Sequence, residues 1–150
     1  MDQIDKRILE ALAANSRATA SEIGKMVDLS LPAVSERIRK LEESGVIEQY
    51  AIRLNRPACG FHLLAMICVT LDNTASIEPF RKAIVEFPQV LECHHMAGDY
   101  DYLLKVLVSG TAELEDFLSH TLKGIDGVAK TNTSIVLSSI KETINRPVFE

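Results

Sequence analysis

With 150 residues, 47% of them hydrophobic and 25% charged, the chain has the composition of one ordinary globular domain or two small ones, free of biased tracts. No apolar run approaches the roughly 20 residues that span a bilayer, and Met1 to Arg7 are mixed in charge and helical in pattern rather than an export signal, so a cytoplasmic protein is expected. The formal net charge of −5 excludes a uniformly basic nucleic-acid binder, yet residues 1–56 carry nine basic and nine acidic groups and residues 57–150 carry seven and twelve, so the acidity belongs to the second part.

In chain order, Ile4, Ile8, Leu9 and Leu12 recur at helical spacing after Asp2, a candidate cap, which predicts a first helix over residues 3–13. Thr19-Ala20-Ser21-Glu22 has the form of a capping box and opens a second helix with Ile23, Met26 and Val27 expected inward. Asp28-Leu29 supplies a turn and Ser30 a cap for a third helix. Pro32 falls in its first turn, where a missing N–H costs nothing, Val34, Ile38 and Leu41 repeat on one face, and Gly45 ends it. Two helices separated by a short turn, the second capped and amphipathic, form a helix-turn-helix pattern. Residues 46–54 are rich in strand formers and are expected to make a β-ribbon wing, and residues 55–60 a linker.

The second half repeats itself weakly. A strand over 63–71, a helix over 77–87 stopped by Pro88 and a strand over 90–96 are followed, after Gly98-Asp99, by a strand over 102–108, a helix over 111–122 and a strand over 128–137. The order βαββαβ is the ferredoxin-like arrangement, so the whole is expected to be α+β. A sheet with both helices on one face should alternate in polarity along its strands. The stretches at 63–69 and 102–104 do not, which predicts that self-association covers the second face.

On the third helix, the face opposite Val34, Ile38 and Leu41 carries Pro32, Glu36, Arg39, Lys40 and Glu43. If this helix enters a major groove, Pro32, Ala33, Ser35 and Glu36 lie nearest the base edges, with the cap residue Ser30 a further candidate DNA contact. Arg37, Arg39 and Lys40 complete the candidate face, with Arg37 and Lys40 suited to phosphates. Glu36 suits a cytosine amino group but would repel phosphates. The same face equally suits a solvated surface laced with ion pairs such as Glu36 to Lys40. Cys93-His94-His95 invites a metal reading. Adjacent strand residues point to opposite faces, so at most Cys93 and His95 converge, and no metal or other cofactor is expected. Cys59, Cys68 and Cys93 are odd in number and form no C-x-x-C pair, as suits reduced thiols.

Several segments together resemble the Lrp/AsnC family, the feast/famine regulators, over essentially the full length. They are Asp2-Gln3-Ile4-Asp5-Lys6-Arg7-Ile8-Leu9, Leu29-Ser30, Val34-Ser35-Glu36-Arg37-Ile38, Leu41-Glu42-Glu43-Ser44-Gly45-Val46-Ile47, Gly98-Asp99-Tyr100-Asp101-Tyr102, Gly127-Val128, Thr131-Asn132-Thr133, Ile135-Val136-Leu137 and Lys141-Glu142-Thr143. The resemblance implies a transcription regulator that binds double-stranded DNA with sequence specificity and is not an enzyme. Residues 1–54 would form a winged helix-turn-helix and residues 61–150 an ACT-like domain that dimerises through its sheet, dimers assembling to octamers or larger rings. It also implies a small-molecule effector, commonly an amino acid, bound where dimers meet. Gly98 would let backbone N–H groups approach a ligand carboxylate, Asp99 or Asp101 would pair with its ammonium, and Tyr100 would wall the pocket. Thr131, Thr133 and Ser134 are candidate hydroxyl donors from a facing or neighbouring subunit. A plain hairpin turn explains Gly98-Asp99 as well. Two other activities go with this architecture: a sirohaem decarboxylase-like enzyme, for which His94 and His95 are available but the second half has only Arg81 and Arg146, and an architectural protein that wraps DNA with little sequence preference.

Overall fold

Asp2 and Asp5 satisfy each other's backbone donors at 2.8 Å each, a capping box that starts α1 (Gln3–Ala14) in the computed structural model, which describes residues 1–145. Thr19 and Glu22 do the same for α2 (Ala20–Val27). Ser30 caps α3 (Leu31–Glu43), its hydroxyl accepting from the Ala33 amide at 3.4 Å with Pro32 in the first turn. Asp28 takes the left-handed conformation (φ 58°) that turns the chain between α2 and α3. The apolar stripes of the three helices meet in a closed core of Ile8, Leu12, Ile23, Val27, Val34 and Leu41.

Met26, expected inward, is instead 56% exposed. The buried place is taken by Gly24, where a Cβ would stand 2.5 Å from the Leu29 carbonyl oxygen. The turn between α2 and α3 folds back so closely that only a glycine fits, and the inward stripe rotates accordingly. The expected ribbon also differs: no strand is present among the described residues 46–54. A strand needs a partner edge, and this segment is held by single anchors instead. The Val46 and Ile47 amides both donate to the Leu41 carbonyl (2.9 and 3.0 Å), the Tyr50 hydroxyl donates to Glu42 (2.8 Å), and Arg53 donates to the Glu142 carbonyl (3.0 Å). Burial, and then the Glu42 carboxylate, push the Tyr50 phenol up to about 12.

The chain divides into two compact units, Met1–Arg53 together with residues 141–145, and Leu54–Ile140. Within the second unit the elements are β1 (Leu63–Leu71), α4 (Ile77–Ile84), β2 (Val90–His95), β3 (Tyr102–Val108), α5 (Thr111–Asp116) and β4 (Val128–Ile135). The helix expected over 77–87 stops three residues early because the Glu86 and Phe87 amides bond three residues back (3.2 and 3.5 Å), a tightening final turn. The helix expected over 111–122 keeps its length but loosens into a π-helix at Phe117–Leu122. The sheet order β2-β3-β1-β4, antiparallel throughout, is that of the expected ferredoxin-like arrangement.

Cross-strand register decides which side chains share a face. Ala65, Ile67 and Val69 of β1 and Tyr102, Leu104, Val106 and Val108 of β3 are buried beneath Phe80, Ile84, Leu114, Phe117 and Leu122 of the helical layer. Their neighbours point the other way. Leu64, Met66 and Cys68 of β1 lie beside Leu103, Lys105 and Leu107 of β3, all half-buried, on a largely apolar second face.

Candidate functional site

The outward side of α3 carries Ser30, Pro32, Ser35, Glu36, Arg39 and Lys40 in the open, with Ala33 half-buried. Its charges are not loose. Arg39 grips Glu36 side-on, Nε to Oε2 at 2.9 Å and a terminal nitrogen to Oε1 at 2.7 Å, while its other terminal nitrogen bonds Glu43. Lys40 adds a longer contact to Glu36 at 3.6 Å. These partners raise the Arg39 guanidinium above its ordinary value and hold the Glu36 carboxyl below the usual carboxylate range, Arg39 being the principal cause.

Arg37 behaves differently from the sequence expectation. Its guanidinium reaches away from the outward face and bonds Asp2 (2.8 Å) and Asp5 (2.7 Å), the two capping carboxylates of α1. Asp2 is held below the usual range by the Asp5 amide first and then by Arg37. The capping box is thus also a clamp tying the start of α1 to the middle of α3. The D-x-x-D spacing marks the box in the sequence, but nothing local marks its third partner.

In the second unit, Gly98 and Asp99 are exposed and Tyr100 and Asp101 half-buried on the connection between β2 and β3. Asp101 hooks this connection onto β1: its carboxylate accepts from the Leu71 amide (2.7 Å), its amide donates to the Val69 carbonyl (3.0 Å), and its carbonyl accepts from Met96 (2.8 Å). The hook sits where the register of β1 on β4 shifts, between Thr70 and Leu71. Asp101 therefore holds the loop, and of the two aspartates Asp99 is the one turned to the surroundings. Gly98 has no left-handed backbone, and a Cβ there would meet nothing within 4 Å, so the turn itself does not require glycine.

The three hydroxyls of β4 do not share a face. Thr131 and Thr133 pair with Val69 and Ile67 and so lie on the helix side, whereas Ser134 pairs with Met66 and lies on the open side. Since Asp101 bonds Val69 on one edge of β1 and Thr131 pairs with it on the other, the loop and Thr131 are about 10 Å apart, two strand spacings. A polar cluster next to the loop is not legible in the sequence. Arg81 donates to the hydroxyl of buried Tyr102 at 2.8 Å, and the exposed His95 ring stacks on Tyr102 with centroids 5.0 Å apart. Cys93 pairs in register with Leu104 and His95 with Tyr102, while His94 pairs with Leu103 on the other face. Among the described residues no three potential metal ligands gather, and no helix is long and apolar enough to cross a membrane.

Residues 64–145 match the model of the Lrp/AsnC ligand binding domain, and residues 1–48 match a winged helix-turn-helix DNA-binding model. The chain is 36% identical over 148 residues to the HTH-type transcriptional regulator FL11 of Pyrococcus furiosus, covering 99% of this chain and 97% of that protein. It is 35% identical over 152 residues to the leucine-responsive regulatory protein of Escherichia coli, covering 100% and 92%. Among solved structures it is similar to a Neisseria meningitidis transcriptional regulator in complex with L-Met (TM-score 0.92, 32% identity, 96% of this chain and 94% of that one).

Proposed function

Since this chain belongs to the Lrp/AsnC family of DNA-binding transcription regulators, we propose that α3 reads its operator in the major groove and that an amino acid or similar small molecule, sensed at the 98–101 loop where copies of the chain meet, sets how tightly it does so. Residues 1–54 serve DNA, residues 55–60 link, and residues 61–150 serve effector binding and self-association, in the cytoplasm. The base-facing set is Ser30, Pro32, Ala33, Ser35 and Glu36, with Arg39 and Lys40 behind it. Arg37 moves from a phosphate contact to a positioning residue, because its guanidinium is committed to Asp2 and Asp5.

One observation carries the effector half. Gly98 is explained neither by backbone conformation nor by any neighbour in its own chain, so its missing side chain makes sense if a ligand or a second subunit approaches there. Asp99 then offers a carboxylate to an ammonium, with Tyr100 beside it. Thr131, Thr133 and Ser134 contribute if the site is shared between subunits, since within one subunit they face opposite ways. The solved relative bound to L-Met favours an amino-acid ligand. The half-exposed apolar face around Met66, Leu103 and Leu107 supports dimerisation through the sheet, with octamers built from such dimers.

The test is a thermal-shift screen of the twenty amino acids, with sedimentation and duplex-DNA titration repeated in the presence of any hit. A hit is expected to raise Tm by linkage, to change the assembly mass or DNA affinity, and to lose its effect in Asp99→Ala. A protein that binds DNA while no amino acid shifts melting, mass or affinity would remove the effector from this account.

A further inference from the structure

Glu36 stands in the N-terminal half of α3, where a groove-entering helix meets base edges. Two objections face a carboxylate in that place: phosphates repel it, and a flexible side chain swings away. The arrangement around Glu36 answers both. Arg39 fixes the carboxylate at two points, 2.9 and 2.7 Å. Arg39 is itself tied by a third bond to Glu43, one turn further along the exposed face. The direction of the Glu36 carboxylate is thus set before any DNA arrives. Glu36, Arg39, Lys40 and Glu43 together carry no net charge, so Glu36 is presented without a net negative field.

A carboxylate oxygen has two acceptor sites, and the fork takes one on each oxygen. The remaining sites can only accept. Cytosine alone offers the major groove an amino donor with no acceptor on the same base. The adenine amino group is flanked by N7, guanine shows O6 and N7, and thymine shows O4 and a methyl group. The neighbouring candidates cannot discriminate this way: Pro32 and Ala33 have no polar side-chain atom, and the Ser35 hydroxyl both donates and accepts.

We propose that Glu36, aimed by Arg39, reads the amino group of a cytosine in the operator, with Arg39 as the positioning residue that sets the carboxylate's direction. This rests on the reading that α3 enters the major groove. Arg39 holds the Glu36 carboxyl below the usual carboxylate range, which favours the ionised, acceptor-only form.

The experiment is selection from a randomised duplex pool at one fixed salt concentration, using the full-length protein and its Glu36→Gln, Glu36→Ala and Arg39→Lys variants. The wild type should enrich a motif with a C·G pair at one defined position of each half-site. Glu36→Gln should shift that position towards adenine, which glutamine pairs bidentately, and Glu36→Ala should flatten it by roughly ten- to a hundredfold. Arg39→Lys, which keeps the charge but cannot fork, should broaden the same position and no other, with melting unchanged. An identical motif in both Glu36 variants overturns the proposal. So does loss of a guanine position in Arg39→Lys while Glu36→Gln keeps the full motif, because arginine would then be the reader. If Glu36→Gln shifts the motif and Arg39→Lys does not, the positioning role falls. A wild type that binds duplex DNA but enriches no motif defeats the proposal alone, whereas one that ignores duplex DNA defeats the reading beneath it as well.

Discussion

The two units of this chain leave opposite kinds of surface uncovered. In the helical unit the apolar stripes close on one another around Ile8, Ile23 and Val34, and what remains outside on α3 is polar, its charges already paired. In the sheet unit the helices close only one face, and the other presents Leu64, Met66, Leu103 and Leu107 half-buried. A polar face whose charges are paired tolerates water and needs no permanent cover. An apolar face is covered permanently or is a liability. One surface is suited to reversible contact and the other to lasting association.

The largest expected effect sets two adjacent residues of β3 against each other. Leu104 is buried under the helices and Leu103 points to the open face. Leu104→Ala should cost about 2–5 kcal/mol in denaturant unfolding through the cavity it leaves. Leu103→Glu should leave the fold standing but weaken self-association by a hundredfold or more, because like charges meet across the new interface. Sedimentation equilibrium reads the second effect, and an unchanged mass would show that the open face is not where copies meet.

A smaller effect separates Arg37 from Lys40, neighbours in sequence with different commitments. Lys40→Ala should reduce the slope of log K against log salt by about 0.9, one phosphate contact. Arg37→Ala should leave that slope alone, since its charge already faces Asp2 and Asp5, and should lower the melting temperature instead. Equal slope changes for the two variants would return Arg37 to the phosphate-contacting set.

The smallest effect is one of pH. Asp2 ionises below its ordinary value of 3.8 in the folded chain. A depressed carboxylate lends stability that is present above the unfolded value and is lost as pH falls from 3.8 through the lower folded value. Melting temperature should therefore fall over that acid interval, and less so in Arg37→Ala, where the Asp5 and Ile4 amides still depress Asp2 but the guanidinium no longer does. Identical acid profiles for the two proteins would mean that the clamp adds nothing to the capping box.

Helix starts, strand order and family membership were determined by the sequence alone, because each is written in residues close together. Thr19 with Glu22, Ser30 before Pro32, and the apolar runs at 63–71 and 102–108 act within a few positions of one another. The order of the motifs nominated both candidate sites. Only the tertiary structure decided where charges and faces point. Arg37 finds carboxylates more than thirty residues away, Asp101 hooks a strand thirty residues back, and Gly24 displaces Met26 because a turn returns upon it. Thr131 and Ser134 part ways through register on β1. Such contacts depend on which surfaces are pressed together, and packing sets that over the whole unit rather than through any local pattern.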